Sequence, residues 1–439
     1  MRNRIGIRHE DKYLSEKRAP LTPHDVKLLT RDKHLEIVVQ SSAKRIFTDQ
    51  EYRDAGAIIA DDLRDCPVIL GVKEIPMEKF EAGKTYMFFS HVIKGQQYNM
   101  PMLQELMHLG CNLIDYERII NDRDKRMVFF GHYAGLAGMI NSLWALGLRL
   151  KEYGFKTPFL KIKQSHLYHS LEEARADISE VGLDIAEDGL PQELQPFTIG
   201  FTGYGHVSQG AQEICNLLPI KEITPSNLHC LDKRKHLPNN VIYKIVFHKE
   251  HMAAHNDGLA FDAEDYKFNP QNYHSIFENH LPNLSVLINC IYWNEQFPRL
   301  LTKEYVAKSF TDGSPKLTVI GDITCDANGS IEITHKGTEI EDPIFVYHPD
   351  DGSYTMGHKG KGMLVMAVDI LPAELPRDSS GEFSDSLFSL IKPLASCDFS
   401  KPFYDLNLPR PLKKALIVHK GELTHDYKYL KAYLNKRAP

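Results

Sequence analysis

Residues 196–214, PFTIGFTGYGHVSQGAQEI, restrict what this chain can become more than any other stretch. A short apolar run, 197–201, leads into Gly203, Tyr204, Gly205, His206, Val207 and Ser208, and helix-forming residues follow. A strand, a tight glycine turn and a helix, in that order, are what a nucleotide pyrophosphate site requires. One glycine supplies the turn, a second lets the main chain approach the phosphates, and the helix N-terminus offers N–H groups and a partial positive charge. Ser208 stands where the third glycine of G-x-G-x-x-G belongs, so the motif by itself equally fits an ordinary strand–turn–helix connection. Gly203, Gly205, His206, Val207 and Ser208 are the expected cofactor contacts, with Ser208 read as a phosphate-facing hydroxyl.

A chain of 439 residues exceeds one ordinary core, so two domains are expected. Strands are predicted at 4–8, 36–40, 67–71, 85–90 and 112–115, with a short helix at 49–55. Thr22 before Pro23 predicts an N-cap and a helix from about residue 24. The runs at 67–71, 85–90 and 112–115 are of the buried parallel kind. They end in Lys73-Glu74, His91 and Tyr116-Glu117, at the sheet edge where open α/β folds hold their ligands. A long helix from about 135, stopped by Gly154, is read as a bridge between domains. Its small residues Ala134, Gly135, Ala137 and Gly138 predict close approach to another backbone. Runs at 241–246, 286–291 and 318–323 continue a doubly wound sheet. Residues 329–333 and 345–347 read as an irregular excursion, and 363–370 and 385–394 as a returning segment and helix.

Several side chains suit proton transfer or anion binding. A desolvated lysine has a lowered pKa, and a histidine titrates near neutrality, so Lys73 and His91 form a candidate acid–base pair. Taken singly, they read more readily as a solvated loop lysine and a satisfied core histidine; it is their parallel placement at neighbouring strand ends that favours the pair. The guanidinium forks of Arg18 and Arg126 suit a dicarboxylate, although surface ion pairing is the ordinary role of arginine. His248, His251 and His255 match neither H-E-x-x-H nor H-x-x-E-H, and no metal is expected. Asp322 and Asp326 follow another buried strand and could hold a cation, cap a turn or face a cofactor. A residue about 20 positions after the first glycine should meet the cofactor ribose. The strand there is predicted to end at Thr224 instead of at an acid, and Lys233, Arg234 and Lys235 follow. That favours NADP(H) over NAD(H), with Glu222 counting the other way.

Composition narrows the class. A formal net charge of −6 gives no basic excess for nucleic acid. The seven cysteines contain no C-x-x-C pair and read as reduced thiols. The N-terminus has no apolar signal core, and residues 134–150 are interrupted by Asn141, Ser142 and Arg149 and are too short to span a membrane. A cytoplasmic protein is expected, with no membrane or nucleic-acid partner.

In chain order, EKRAPLTP, ILGVKE, YMFFSHVIKGQ, LIDYE, FFGHYAGLAGMI, FTGYGHVSQGA, LINCIYW with PRLLT, and VIGDITCD resemble the lysine–ketoglutarate reductases. These form the lysine-binding half of the bifunctional aminoadipate-semialdehyde synthases, with the saccharopine dehydrogenases and the alanine dehydrogenase and transhydrogenase group as relatives. The likeness runs from about residue 5 to 433. GVKE is shared widely, whereas HVIKGQ and PRLLT are more typical of the lysine branch. The resemblance implies an α/β enzyme with two Rossmann-like open parallel-sheet domains flanking an interdomain cleft. Residues 1–133 plus about 365–439 would form the substrate domain, 134–155 the bridging helix and 156–364 the dinucleotide domain. The implied reaction condenses L-lysine with 2-oxoglutarate and reduces the imine with a nicotinamide hydride to saccharopine.

Carried over by motif, Lys73 and His91 would be the acid–base pair and Arg18 and Arg126 the oxoglutarate clamp. Glu74, Glu117, Lys94 and Gln96 would tune charge or hold the lysine end, and Asp326 would close over substrate and nicotinamide. Gly203, Gly205 and Ser208 would hold the pyrophosphate. NADP is the expected cofactor, with NAD the alternative. An alanine-dehydrogenase-like enzyme and a non-catalytic nucleotide- or amino-acid-binding regulator are the rival readings. The family's bifunctional members continue into a second dehydrogenase domain. The chain is therefore expected to be a monofunctional reductase or part of a longer protein, mitochondrial in the latter case; a homo-oligomer is left open.

Overall fold

A computed structural model describes residues 3–231, 236–313 and 315–434. It divides into two units, Met1–Phe130 with Pro376–Pro439, and Gly131–Leu375. Lys233, Arg234 and Lys235, the cations invoked for a 2′-phosphate, lie outside the described residues.

The first unit is built on an eight-stranded sheet. Strands β1 (Asn3–Ile7), β2 (Leu35–Gln40), β3 (Ile58–Ala60), β4 (Val68–Leu70), β5 (Thr85–Phe88) and β6 (Asn112–Asp115) are parallel, in the order β6-β5-β4-β1-β2-β3. Two C-terminal strands, Leu416–His419 and Glu422–Leu423, extend it antiparallel beyond β6. Every residue of β4, β5 and β6 is buried, as strands covered on both faces must be. Helix α1 (Pro23–Leu29) starts where the sequence predicts: Thr22 Oγ1 accepts the Asp25 N–H and Pro23 takes the first position. Helix α2 (Asp49–Asp54) opens with a Thr48–Glu51 capping box, and α3 (Met100–His108) buries Met102, Leu103 and Leu106. The returning helix Pro376–Ser396 ties down the loop before α1, because its Ser380 and Ser384 hydroxyls accept the N–H groups of Ala19 and Thr22. The chain lays β2 and β3 on one side of β1 and β4, β5 and β6 on the other. The strand order therefore reverses between β1 and β4, which is where an open sheet forms its crevice.

The second unit opens with helices α4 (Gly131–Glu152) and α5 (Leu171–Asp188). Then come β7 (Thr198–Thr202), α6 (His206–Cys215), β8 (Ile220–Glu222) and β9 (Ile242–Phe247). A small ribbon, β10 (Ala253–His255) with β11 (Tyr273–Ser275), precedes β12 (Val286–Asn289) and β13 (Val319–Asp322). Strands β14 (Ile344–Tyr347), β15 (Tyr354–Met356) and β16 (Met363–Met366) complete an eight-stranded sheet ordered β15-β14-β16-β13-β12-β7-β9-β8. The predicted irregular excursion is thus partly regular: β14 pairs antiparallel with β15 and β16. The expected boundary near residue 365 falls inside β16, a parallel partner of β13, and the unit continues to Leu375. The expected bridging helix begins earlier than predicted, at Gly131, and belongs to this unit.

The small residues of α4 do bring backbones together. A Cβ on Gly135 would lie 2.0 Å from the Val207 carbonyl oxygen, and one on Gly210 of α6 would lie 2.1 Å from that of His132. Each helix therefore needs glycine at the crossing. All seven cysteines are free thiols, and no described helix is long and apolar enough to cross a membrane.

Candidate functional site

Loops leaving β1, β4 and β5 meet at the crevice of the first sheet. The β1 loop carries Glu10, Lys12, Tyr13, Glu16 and Arg18; the β4 loop carries Lys73 and Glu74; β5 leads to His91. Glu10 is buried and accepts the backbone N–H groups of Val72 (2.8 Å) and Lys73 (2.9 Å), one on each oxygen. Burial pushes its carboxyl up to about 7, against the nearby Arg8 and these two hydrogen bonds. Glu74 is also buried, and it joins two basic side chains: Oε1 lies 2.8 Å from His91 Nδ1 and Oε2 lies 2.8 Å from Lys12 Nζ. Burial would raise the Glu74 carboxyl, but His91 and Lys12 outweigh it and hold it down at about 2. An ionised carboxylate there favours a proton on His91 Nδ1, which leaves Nε2 for a reacting group. His91 itself has φ +49, a left-handed conformation uncommon for a residue with a Cβ. The Asn99 side chain holds that turn by donating to the Ser90 (3.0 Å) and His91 (3.3 Å) carbonyls.

Lys73 is half-buried, not the deeply desolvated lysine expected from its strand. Its Nζ stands 5.9 Å from the Tyr13 ring centroid. Arg18 is buried, and its Nε and Nη2 both bond Glu16 (2.8 and 2.6 Å) while the guanidinium covers Phe130 at 4.4 Å. Burial raises the Glu16 carboxyl, but Arg18 more than offsets it. The expected carboxylate clamp is therefore already engaged by an internal carboxylate. Arg126 has 39% of its side chain exposed; its Nε donates to the Val128 carbonyl (2.6 Å) and Nη1 lies 3.3 Å from Glu117 Oε1. Its guanidinium lies 5.6 Å from Phe89, which packs against both His91 and Phe130. An aromatic ladder thus links Arg126, His91 and Arg18. Lys94 and Gln96 sit in an exposed turn, where the Gln96 side chain accepts the Lys94 N–H (3.2 Å).

Glu10, Lys12, Tyr13 and Glu16 were not singled out in the sequence. The rule that found Lys73 and His91 applies to them as well, since they follow a parallel strand. The missing information was that β1 lies at the centre of the sheet, beside β4.

In the second unit, Gly203 has φ +80 and its N–H bonds the Phe247 carbonyl (2.9 Å), so the turn requires glycine. Gly205 precedes α6 with no side-chain cap, and a Cβ there would meet nothing within 4 Å. That open space beside an uncapped helix start fits a pyrophosphate. His206 and Val207 form the first turn of α6. Ser208 departs from expectation: it is fully buried and its Oγ accepts the Gln212 amide (2.9 Å). Its hydroxyl is engaged inside the fold and is not the phosphate-facing group expected. Strand β8 ends at Glu222, two residues before the predicted Thr224, which instead caps the next turn by accepting the Asn227 N–H. The acid-free strand end that favoured NADP(H) is therefore absent. Asp322 is buried among Asn289, Thr324 and Thr334, bonding all three side chains, whereas Asp326 lies in the loop beyond, where its carbonyl accepts the Gly329 N–H (2.9 Å). Among the described residues no cluster of His, Cys, Asp or Glu is placed to hold a metal ion.

Comparison with known proteins matches residues 6–137 to the alanine dehydrogenase/PNT N-terminal domain and 249–426 to the C-terminal domain of the same family. The chain belongs to the alanine dehydrogenase/PNT family. It is 41% identical to the alpha-aminoadipic semialdehyde synthase of Arabidopsis thaliana, over 97% of this chain and 41% of that protein. It is 36% identical to the mitochondrial alpha-aminoadipic semialdehyde synthase of Rattus norvegicus, over 99% of this chain and 48% of that protein. The chain thus spans about half or less of the length of these relatives. Among solved structures, an L-alanine dehydrogenase aligns with a TM-score of 0.61 at 16% identity, covering 98% of this chain and 99% of that one. That likeness is one of fold: both are α/β proteins with two Rossmann-like units.

Proposed function

We propose that the chain condenses the ε-amine of L-lysine with 2-oxoglutarate and reduces the product to saccharopine, using a pyridine nucleotide and preferring NADP(H). Family membership and the semialdehyde synthase relatives support an oxidoreductase acting on a CH–NH bond. The observation that carries the reading is the Lys12–Glu74–His91 chain at the switch point, beside a lysine whose backbone is held by Glu10.

The condensation needs two proton movements. The attacking amine must lose a proton, and the hydroxyl of the carbinolamine must gain one to leave as water. His91, with Nδ1 held by Glu74, would protonate the departing hydroxyl through Nε2. Lys73 would take the amine proton. Lys12 keeps Glu74 ionised when His91 becomes neutral, so the carboxylate retains a partner in both protonation states. Arg126, partly exposed, would meet an oxoglutarate carboxylate directly. Arg18, engaged by Glu16, would do so by exchanging partners. A nicotinamide nucleotide bound at the Gly203–Gly205 turn would supply the hydride.

The test is direct. Purified chain with lysine, 2-oxoglutarate and NADPH is expected to consume nicotinamide absorbance, with NADH run in parallel. Turnover with pyruvate and ammonium in place of that mixture would move the assignment to an alanine-dehydrogenase-type reaction.

A further inference from the structure

The second sheet departs from the usual dinucleotide-binding order in one respect. In the usual order, the strand that follows the glycine-turn helix lies next to the first strand, and its C-terminal end reads the ribose. Here that strand, β8, lies at the edge, and the third strand in the chain, β9, is inserted between it and β7. The pairing is continuous, from Thr198↔Tyr243 to Thr202↔Phe247, and the Gly203 N–H continues it onto the Phe247 carbonyl. The backbone that continues beside the glycine turn is therefore that of Phe247 and His248.

From this exchange we infer that His248, at the end of β9, reads the 2′ position of the nucleotide ribose, and that Glu222 does not. The inference rests on the nucleotide-binding reading of the Gly203–Gly205 turn. Neighbouring strands stand about 4.8 Å apart, so β9 lies one spacing and β8 about two spacings from the turn. One sugar separates the pyrophosphate from the adenine, which suits the nearer strand. The His248 ring stacks on that of Tyr204, within the glycine turn itself, at 4.6 Å and 27°. Both side chains are exposed. The Glu222 carboxylate is otherwise engaged, 2.8 Å from the Nζ of the buried Lys244. Between the ends of β8 and β9 is a cavity of about 690 Å³, lined by Glu222, Thr224, Val246, His248, Glu250 and His251 among others, where an adenosine can lie. An imidazole at the ribose position donates hydrogen bonds and lacks the negative charge with which a carboxylate repels a 2′-phosphate. The expected preference is for the phosphorylated nucleotide, for a reason different from the one that residue counting supplied.

The experiment needs no turnover. Binding of 2′-phospho-ADP-ribose and of ADP-ribose to the full chain is measured by calorimetry for the wild type, His248→Asp, His248→Ala and Glu222→Gln. The wild type is expected to favour the phosphorylated fragment. His248→Asp should lower that preference at least tenfold, His248→Ala should lower it by less, and Glu222→Gln should leave it within threefold. A preference that moves with Glu222 and not with His248 overturns the inference and leaves the proposed reaction standing. A wild type that binds neither fragment overturns the nucleotide reading, and the inference with it.

Discussion

His91 Nδ1 and Glu74 Oε1 lie 2.8 Å apart, and the same carboxylate holds Lys12 through its other oxygen. One buried anion therefore orients a histidine and stays charge-compensated whether or not that histidine carries a second proton. Glu74→Gln keeps the shape and removes the charge. We expect kcat to fall at least tenfold and the acidic limb of the pH–rate profile to shift, with little change in nucleotide binding. An unaltered pH profile would remove Glu74 from the proton chemistry.

Lys73→Met should lower kcat by two orders of magnitude or more while nucleotide affinity, followed by fluorescence titration, changes less than threefold. Unchanged kcat would exclude Lys73 from proton transfer. Glu10→Gln tests its support. The glutamine amide has one acceptor oxygen for two backbone N–H groups, so one bond to Val72 or Lys73 is lost and kcat should fall more than KM rises.

Arg18→Ala leaves Glu16 buried without its partner and should cost about 3–5 kcal/mol in stability, read by denaturant titration. Adding Glu16→Gln should recover part of that loss. Arg126→Ala, at a partly exposed position, should cost less than about 1 kcal/mol while raising the KM for 2-oxoglutarate and leaving that for lysine in place. Equal increases for both substrates would sink the carboxylate assignment.

Stability should respond to pH in two opposed ways. The depressed Glu74 carboxyl stabilises the fold above its ordinary value of 4.5, and that contribution is lost as pH falls toward 2. Glu10, raised to about 7, and Asp115, raised to about 6, act the other way. The folded chain holds their protons longer than the unfolded chain, so stability falls as pH rises from about 4 to 7. Denaturant midpoints between pH 2 and 8 should therefore pass through a maximum. Asp115→Asn should flatten the upper slope, and a slope unchanged by that substitution would count against the assignment.

Gly135→Ala and Gly210→Ala drive a methyl to about 2 Å from a carbonyl oxygen and should each destabilise the second unit by more than about 3 kcal/mol. Gly381→Ala, inside the helix Pro376–Ser396 where a Cβ meets nothing within 4 Å, should stabilise by about 0.5–1 kcal/mol. Thermal melts of the three variants check both directions.

The sequence by itself determined the features that contiguous residues control. Thr22 and Pro23 set a helix start, buried apolar runs set β4, β5 and β6, and Gly203 and Gly205 set the turn before α6. Capping, periodicity and turn chemistry act over a few residues and can be read in order. Because parallel strands point the same way, their ends also marked Lys73, Glu74 and His91 as neighbours. Tertiary structure decided what depends on pairing between distant segments. Nothing local in residues 220–247 says which strand will lie beside β7, and the count of positions to the ribose assumed an order the sheet does not have. Likewise, the charged run after β1 could not reveal that Lys12 would share Glu74 with His91, or that Arg18 would be taken by Glu16. Ion pairing follows distance in three dimensions, and that distance exists only after β1 and β4 have come together at the centre of the sheet.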